Sequence, residues 1–303
     1  MSFIDQFLDY FSRNCQVYFP AVSRARENHS LSFDVLGERL LGWAAKHIGE
    51  GWEEVLAEGY MHFLMDVNRS QMEYERRGHY KSKTYDEVYT SVYSDPEVMN
   101  RYHWGVYVTT FAWEHHLEIY EFYRREFLKR LDPESGSLID LGSGSGVWSF
   151  MTLDALSNWS SKGVDISKRS VELASQMKFI TGAGRRVDFL EEDALKFQGP
   201  KPGQAGISCF LLEHLENPQQ LLDNLSNNLE PGALAFVTAA LTAAEVDHIS
   251  EFRKESEVIQ MVEAAGFRTI SMLSSAPPMH PRTQKFLPRS LALVLQKKVN
   301  DIW

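Results

Sequence analysis

The sequence predicts an α/β fold with a mostly parallel β-sheet in its C-terminal part, preceded by a helical, aromatic-rich N-terminal part. Two observations predict it. All twelve tyrosines of the 303-residue chain lie before residue 124, so the composition changes near residue 135. After that point, short apolar runs alternate with helical patterns, as in strands joined by crossover helices. We therefore expect a helical region over residues 1–130 and an α/β domain over residues 131–303.

Seven short apolar runs in the C-terminal part are predicted to be strands. They are SLIDL (137–141), SKGVDI (161–166), RVDFLEED (186–193), ISCFLL (207–212), ALAFVTA (233–239), FRTISML (267–273) and SLALVLQ (290–296). A proline-rich stretch with no helical pattern joins the last two runs. Because parallel strands need a long crossover connection, we expect the final strand to be antiparallel.

The N-terminal part is predicted to be helical because apolar residues recur three and four positions apart. Residues 32–48, with Ser32 as the capping residue, residues 52–67 and residues 111–131 show this pattern. Between them, residues 76–105 are polar, rich in tyrosine and interrupted by glycine and proline. That composition predicts a loop with short helices.

Charge and cysteine content argue against several classes of partner. The formal net charge of −10 repels nucleic-acid phosphates and anionic membranes, so we expect neither as a partner. Cys15 and Cys209 are far apart and form no CxxC motif, which favours free thiols in a reducing compartment. No segment has the pattern of a signal peptide or a transmembrane helix, so we expect a cytoplasmic protein.

The stretch SLIDLGSGSGVWSF, residues 137–150, predicts a nucleotide-binding turn between a strand and a helix. A P-loop would need a lysine that is absent, and a dinucleotide fingerprint would need glycine where Val147 stands. The remaining description is D-x-G-x-G-x-G, from Asp140 to Gly146. An acid beside the turn repels a pyrophosphate and attracts a cationic ligand such as a sulfonium amino acid.

Two further acids lie near the ends of the next two predicted strands. Asp165 lies 23 residues after Gly142, where an acid can accept both ribose hydroxyls. Asp193, in LEEDALKF, could accept a hydrogen bond from an adenine amino group. The chain continues through LLEHLENP, in which His214 is interpreted as a structural residue or one that acts through a neighbour, to LEPGALAF.

These motifs, in this order, resemble the class I S-adenosylmethionine (SAM)-dependent methyltransferase superfamily over residues 130–296. The resemblance implies a Rossmann-like seven-stranded sheet of order 3-2-1-4-5-7-6 under a helical cap. It implies that the glycine turn holds the methionine part of SAM, Asp165 the ribose, and Asp193 with Ala194 the adenine. The implied cofactor-binding set is Asp140, Gly142, Ser143, Gly144, Gly146, Asp165, Ile166, Asp193, Ala194, Phe210 and Leu211. Residues 205–207 depart from the family, because many members carry an acid at the start of strand four.

The tyrosine-rich segment 80–113 offers an aromatic lid and candidate catalytic residues. Aromatic faces attract cations, and a lid expels water. Tyr93, His103 and Tyr107 are the candidate proton acceptors, and at least one tyrosine between residues 80 and 107 is expected at the ligand. The aromatic stripe from Phe111 to Phe127 is expected in the core. No spacing of histidine, cysteine and acids resembles a metal site, so we expect no metal.

Three functions are compatible with these features. The first is in-line transfer of the SAM methyl group to a small molecule. The second is cyclisation of SAM by attack of its own amine on the γ-carbon, giving azetidine-2-carboxylate and methylthioadenosine. The concentration of tyrosines and the absence of an obvious acceptor site motivate it, and the chain looks compatible with the azetidine-2-carboxylate synthases, which are similar to this superfamily and carry a large N-terminal cap. The third is a non-catalytic SAM-binding regulatory protein. A homodimer is compatible with each of them.

Overall fold

The computed structural model describes residues 1–89, 96–277 and 285–299. Helices form the N-terminal part, as expected, and a π-helical turn (Tyr123–Phe127) and a 3-10 turn (Leu128–Arg130) lead from them to the sheet. The helices are α1 (Phe3–Asn14), α2 (Phe19–Asn28), α3 (Ser30–Ile48), α4 (Trp52–Arg77), α5 (Tyr85–Val88), α6 (Pro96–Ala112) and α7 (Glu114–Phe122).

A seven-stranded sheet of order β3-β2-β1-β4-β5-β7-β6 follows, which confirms the sheet that the resemblance implied. Strands β1 to β5 pair in parallel, and β7 is antiparallel to both β5 and β6, as predicted. Its elements are β1 (Gly136–Leu141), α8 (Val147–Ala155), β2 (Trp159–Asp165), α9 (Lys168–Ile180), β3 (Val187–Glu191), β4 (Gly203–Ser208), α10 (Pro218–Asn227), β5 (Leu229–Leu241), α11 (Glu255–Ala264), β6 (Phe267–Ser275) and β7 (Arg289–Lys297).

The fourth strand was placed wrongly by its apolar run. It ends at Ser208, four residues before the expected end. The chain leaves the strand because Phe210 has a φ of +52°, and its N–H donates to Thr238 Oγ1 at 2.9 Å instead of to a neighbouring strand. The apolar residues after Ser208 therefore lie at the carboxyl edge of the sheet.

Helix bounds also differ from the prediction in the N-terminal part. Residues 96–105 form the first half of a 17-residue helix that begins at Pro96, where the missing N–H costs nothing. Helix α3 begins before Ser32, whose hydroxyl donates to Glu121 at 2.6 Å and caps nothing. The long helix expected over residues 111–131 is interrupted at Trp113, which has extended backbone angles.

One continuous hydrophobic cluster joins the N-terminal helices to the sheet. The Phe7 ring meets Phe111 at 6.0 Å within the cap, and the Tyr123 ring meets Trp148 on α8 and Phe236 on β5, both at 5.0 Å. The expected boundary near residue 130 is thus a change of composition and secondary structure, with no break in the core.

Burial separates the aromatic residues of the cap into two groups. Most of the stripe from Phe111 to Phe127 is buried, as expected, but Trp113 is half-buried. Tyr80 and Trp104 are also buried, whereas Tyr89 is 51% exposed. No helix in the described ranges is long and apolar enough to cross a membrane.

Removing the Phe111 ring is predicted to lower the free energy of unfolding by about 3–5 kcal/mol. The ring is fully buried and meets Phe33 at 5.5 Å. Because the core is shared, Phe111→Ala should shift one common transition for cap and sheet, measured by urea titration with circular dichroism. The control, Phe179→Ala, removes a ring that is 67% exposed and should change stability by less than about 0.5 kcal/mol. Two separate transitions would contradict a shared core.

Candidate functional site

The turn between β1 and α8 is held open by three glycines. Gly142, Gly144 and Gly146 have φ angles of +77°, +51° and +79°, which side chains rarely adopt. A Cβ at Gly142 would lie 2.4 Å from Leu211 Cδ2, and one at Gly146 would lie 2.6 Å from Phe189 Cζ. A Cβ at Gly144 would meet no described atom within 4 Å. A ligand can therefore approach the backbone closely at Gly144.

Ser143 brings an unused hydroxyl into the same turn. Its N–H donates to Val164 O at 3.0 Å, which ties the turn to β2. Its Oγ is buried and has no hydrogen-bond partner among the described residues. Because buried polar groups are normally paired, this hydroxyl fits a site whose ligand supplies the missing partner.

The Asp165 carboxylate connects the turn to the end of β2. It accepts the N–H of Gly144 and the N–H of Ser167, both at 2.8 Å. Burial raises the pKa of Asp165, while these two N–H groups lower it. A carboxylate has about four lone-pair sites, so two remain for ribose hydroxyls. Ile166, the next residue, is 53% exposed.

Asp193 and Ala194 lie just beyond the end of β3, the strand next to β2. Asp193 Oδ1 accepts the N–H of Leu195 at 2.9 Å, and Oδ2 lies 3.0 Å from Lys196 Nζ. Ala194 is buried, and its carbonyl accepts from Asn224 at 2.8 Å. The two residues are thus fixed in place at the edge where an adenine was expected.

Asp140 is bonded inside the protein beneath the turn. Its carboxylate accepts a 2.7 Å hydrogen bond from Ser149 Oγ, which is 2.9 Å from Ser161 Oγ. Burial raises the pKa of Asp140 to about 7. We expected this acid to attract a cationic ligand directly. A carboxylate that is 2% exposed and partly protonated at neutral pH does not fit that role.

Helix α5 of the cap lies over the acids at the ends of β2 and β3. The pKa of Tyr85 is raised by burial first, and then by Tyr89, Asp165 and Asp193, whose charges lie near it. The Tyr85 N–H donates to Glu216 Oε1 at 2.8 Å, which anchors the helix to the loop after β4. Tyr85 therefore lies near the carboxylates of Asp165 and Asp193.

The loop after β4 borders the other side of the turn. Phe210, in its strained conformation, lies with its ring 5.0 Å from the His116 ring. Burial lowers the pKa of His116 well below its usual value, and His115 lowers it further, so the imidazole is neutral at pH 7. Leu211 packs on Gly142. His116 was not among the three candidate catalytic residues.

The three candidate catalytic residues have different positions. Tyr93 lies outside the described residues. His103 is buried, its Nε2 is 2.9 Å from Ser170 Oγ on α9, and burial lowers its pKa to about 4. The Tyr107 hydroxyl donates to Leu40 O at 2.8 Å within the core, which is the arrangement of a packing residue.

The structure also assembles polar residues that the sequence did not group together. Glu213 and His214 follow β4, and Glu245, Asp247 and His248 follow β5. His214 Nδ1 lies 3.3 Å from Asp247 Oδ2 in the protein interior. Thirty residues separate the two segments, so spacing along the chain carries no signal. Parallel pairing of β4 with β5 is what brings them together.

Replacing Asp140 by asparagine is predicted to change how stability depends on pH. The folded chain holds a proton on Asp140 up to a pKa of about 7, above the ordinary value of 3.8, so the wild type loses stability as pH rises through this interval. Asp140→Asn cannot ionise, and should gain roughly 2–4 kcal/mol relative to the wild type between pH 4 and pH 8. Thermal unfolding at several pH values measures this difference.

Asp188→Asn is the control, because that side chain is 68% exposed on the edge strand β3. Its stability difference from the wild type should stay nearly constant over the same pH range. A difference for Asp140→Asn that does not change with pH would show that the carboxyl is ionised throughout.

Comparison with known proteins gives one family and several similar structures. Residues 139–235 match the family model described as a methyltransferase domain. No curated protein matches the chain. Mitomycin 7-O-methyltransferase MmcR shares 14% identity with a TM-score of 0.54 over 86% of this chain and 75% of its own. The cyclase SpnF shares 16% identity with a TM-score of 0.50 over 60% of this chain and 80% of its own.

A third structure, from Galdieria sulphuraria, is provisionally named a sarcosine dimethylglycine methyltransferase. It shares 10% identity with a TM-score of 0.52, covering 60% of this chain and 86% of its own. At these identities the structural likeness concerns the fold alone, while the family match covers β1 to β5 and the glycine turn. Residues 139–235 therefore resemble a methyltransferase domain, and the chain shares the fold of these structures.

Proposed function

We propose that the protein is a SAM-dependent methyltransferase that acts on a small molecule. The observation that carries the proposal is the open backbone at Gly144, flanked by carboxylates at the ends of two adjacent strands, Asp165 and Asp193. This arrangement lies at the topological switch point of a doubly wound sheet, where ligands of such sheets bind. The methyltransferase-domain match over residues 139–235 supports the same ligand.

Each part of the site has a separate task in this proposal. Gly144 lets the amino-acid part of SAM approach the backbone, and the unpaired Ser143 hydroxyl gives it a hydrogen-bond partner. Asp165 holds the ribose, and Asp193 orients the adenine. SAM supplies a sulfonium-bound methyl group that an acceptor attacks in line. The protein contributes mainly proximity and orientation, which can account for much of the rate of a two-substrate reaction.

The cap would exclude water and border the acceptor. Tyr85 of α5 lies over the strand-end acids, and Tyr89 lies beside it at a ring distance of 6.0 Å. The neutral His116 imidazole lies 5.0 Å from the Phe210 ring, beside the loop after β4, where it could accept a proton from an acceptor, although its lowered pKa makes it a weak base. We propose these residues as the aromatic lid and the candidate base.

The proposal also includes the cellular compartment of the protein and its partners. Cys15 and Cys209 are both free thiols, in keeping with a cytoplasmic protein. The net charge of −10 favours a small acceptor over nucleic acid. A role in small-molecule biosynthesis and a homodimeric state remain predictions.

Asp165→Asn is predicted to weaken SAM binding by at least about tenfold. The amide keeps the size of the carboxylate but replaces one acceptor oxygen by a donor, which faces the N–H of Gly144 or a ribose hydroxyl. Isothermal titration calorimetry with SAM measures the loss. Asp188→Asn, on the exposed face of β3, should bind SAM as the wild type does. Equal weakening in both variants would contradict a specific role for Asp165.

The reaction itself is tested by the adenosine product that leaves the enzyme. Purified protein is incubated with SAM, with and without a panel of small hydroxyl, amine and carbon acceptors, and products are quantified by mass spectrometry. Acceptor-dependent adenosylhomocysteine is the expected result. His116→Gln should lower its release by about 10²–10⁴-fold while SAM still binds.

Other products distinguish the other functions. If methylthioadenosine forms without acceptor, above the no-enzyme control, the reaction is cyclisation or lysis of SAM and not methyl transfer. Binding of SAM with neither product across the panel would favour a regulatory protein.

A further inference from the structure

A buried polar cluster, defined here as Glu213, His214, Glu245, Asp247 and His248, lies beside the glycine turn. Two sets of three of its residues, Glu213 with His214 and His248, and Glu245 with Asp247 and His248, each bring their ligand atoms within 4.8 Å of one another. Glu213 is 1% exposed, Asp247 0% and His248 2%. His214 and Glu245 are 14% and 18% exposed, so the nitrogen and oxygen donors converge in a largely buried place that is open to solvent on one side.

Both imidazoles in the cluster keep one nitrogen available. His248 Nδ1 is 2.7 Å from Ala243 O, and because a carbonyl only accepts, Nδ1 carries the proton and Nε2 the lone pair. His214 Nδ1 lies 3.3 Å from both the carbonyl and the carboxylate of Asp247. Metal-binding histidines are held in the same way, with the second nitrogen bonded to a carbonyl or carboxylate.

Glu213 supplies an independent sign that a ligand belongs here. Neither of its carboxylate oxygens has a hydrogen-bond partner among the described residues. Its backbone carbonyl, by contrast, accepts the N–H groups of Ile249 and Ser250 at 2.8 and 2.9 Å, so the residue is held firmly in place. An unpaired buried carboxylate is costly unless it is neutralised by a proton or a cation.

The charges of the cluster also favour an added cation. The cluster combines three carboxylates with two imidazoles: His214 Nδ1 lies 3.3 Å from Asp247 Oδ2, and His248 Nε2 lies 3.8 Å from Glu245 Oε2. A metal cation among these donors would offset the negative charge of the carboxylates.

We propose that this cluster binds one divalent first-row transition-metal ion, with Glu213 and the Nε2 atoms of His214 and His248 as ligands. Glu245 and Asp247 lie behind them, as further ligands or as acceptors that orient the imidazoles. Two nitrogens with carboxylate oxygens suit Zn²⁺, Fe²⁺, Mn²⁺ or Co²⁺ better than Mg²⁺ or Ca²⁺. In a tetrahedral site with bonds of about 2.1 Å, two donor atoms lie about 3.4 Å apart, so donors within 4.8 Å of one another would move closer by up to about 1.4 Å when the metal binds.

This inference does not depend on the proposed methyl transfer. The cluster lies near the SAM side, since the charge of His214 affects the pKa of Asp165 and the charge of Glu213 affects the pKa of Cys209. A cation in this position could bind and polarise an acceptor oxygen. Its presence can nevertheless be measured without SAM and without any acceptor.

The test uses the full-length protein without a histidine tag, dialysed against a chelator. Zn²⁺ and Co²⁺ are titrated by calorimetry, retained metal is counted by mass spectrometry after gel filtration, and the visible spectrum of bound Co²⁺ is recorded. One equivalent should bind with a Kd below about 1 μM, corresponding to more than about 8 kcal/mol. Glu213→Gln and His248→Gln should each weaken binding by about 100-fold or more.

Controls separate this site from surface binding and from misfolding. His62→Gln removes an exposed histidine and should bind metal as the wild type does. Zn²⁺ should raise the Tm of the wild type but not that of the cluster variants. If a variant is unfolded, the wild type alone tests the proposal, through the number of metal ions it binds and the visible spectrum of its bound Co²⁺. Three results would each overturn the proposal. They are equal metal binding by the wild type and folded cluster variants, binding of Mg²⁺ alone, and stabilisation only by an organic ammonium ion such as ethylammonium.

Discussion

The Asp165 carboxylate is the contact on which the rest of the site depends. One oxygen accepts the N–H of Gly144 in the turn after β1, and the other accepts the N–H of Ser167 at the start of α9. A single side chain thus fixes the glycine turn against the end of the next strand. The left-handed backbone at Gly144 leaves room above this contact, so one arrangement both builds the turn and exposes its backbone to a ligand.

The cap and the sheet share a core, and this positions the remaining parts of the site. Tyr123 packs on Phe236 of β5, while α5 is held to the loop after β4 through the bond between the Tyr85 N–H and Glu216. The protein interior around the turn is poorly hydrated, which is why the pKa of Asp140 is raised and that of His116 is lowered. In such surroundings few charges are stable alone, so each ionised group requires a partner or a ligand.

The strands and the turn could be predicted from the sequence because both depend on local patterns, whereas the order of the strands was implied by the resemblance to a known superfamily. Apolar runs separated by helical periods define parallel strands, and the alternation of glycine after Asp140 defines the turn. The carboxyl end of β4 could not be predicted, because the chain leaves the strand at Phe210, which has a positive φ. Phenylalanine rarely adopts a positive φ, so the sequence does not indicate this turn. Tyr107 was proposed as a proton acceptor because it lies in a polar, tyrosine-rich segment, but its hydroxyl donates to the Leu40 carbonyl inside the core.

The buried cluster could not be predicted from the chain because it exists only through strand pairing. Glu213 and His248 lie 35 residues apart in sequence and come together because β4 and β5 are parallel neighbours whose ends meet at the same edge. Likewise, the Coulomb effect of Asp165 and Asp193 on Tyr85 depends on how α5 crosses the sheet. Features built from two strand ends and a cap helix require the tertiary structure.

Hydrogen exchange with and without saturating SAM tests the central claim most directly. If SAM binds at the glycine turn beneath α5, amides of residues 142–149, 165–167, 193–195 and 85–88 should exchange more slowly in its presence. Protection at all four segments, which belong to different elements, would locate the ligand at their meeting point. No change at residues 142–149 and 165–167 while SAM is bound would contradict the account, because the ligand would then lie elsewhere on the protein.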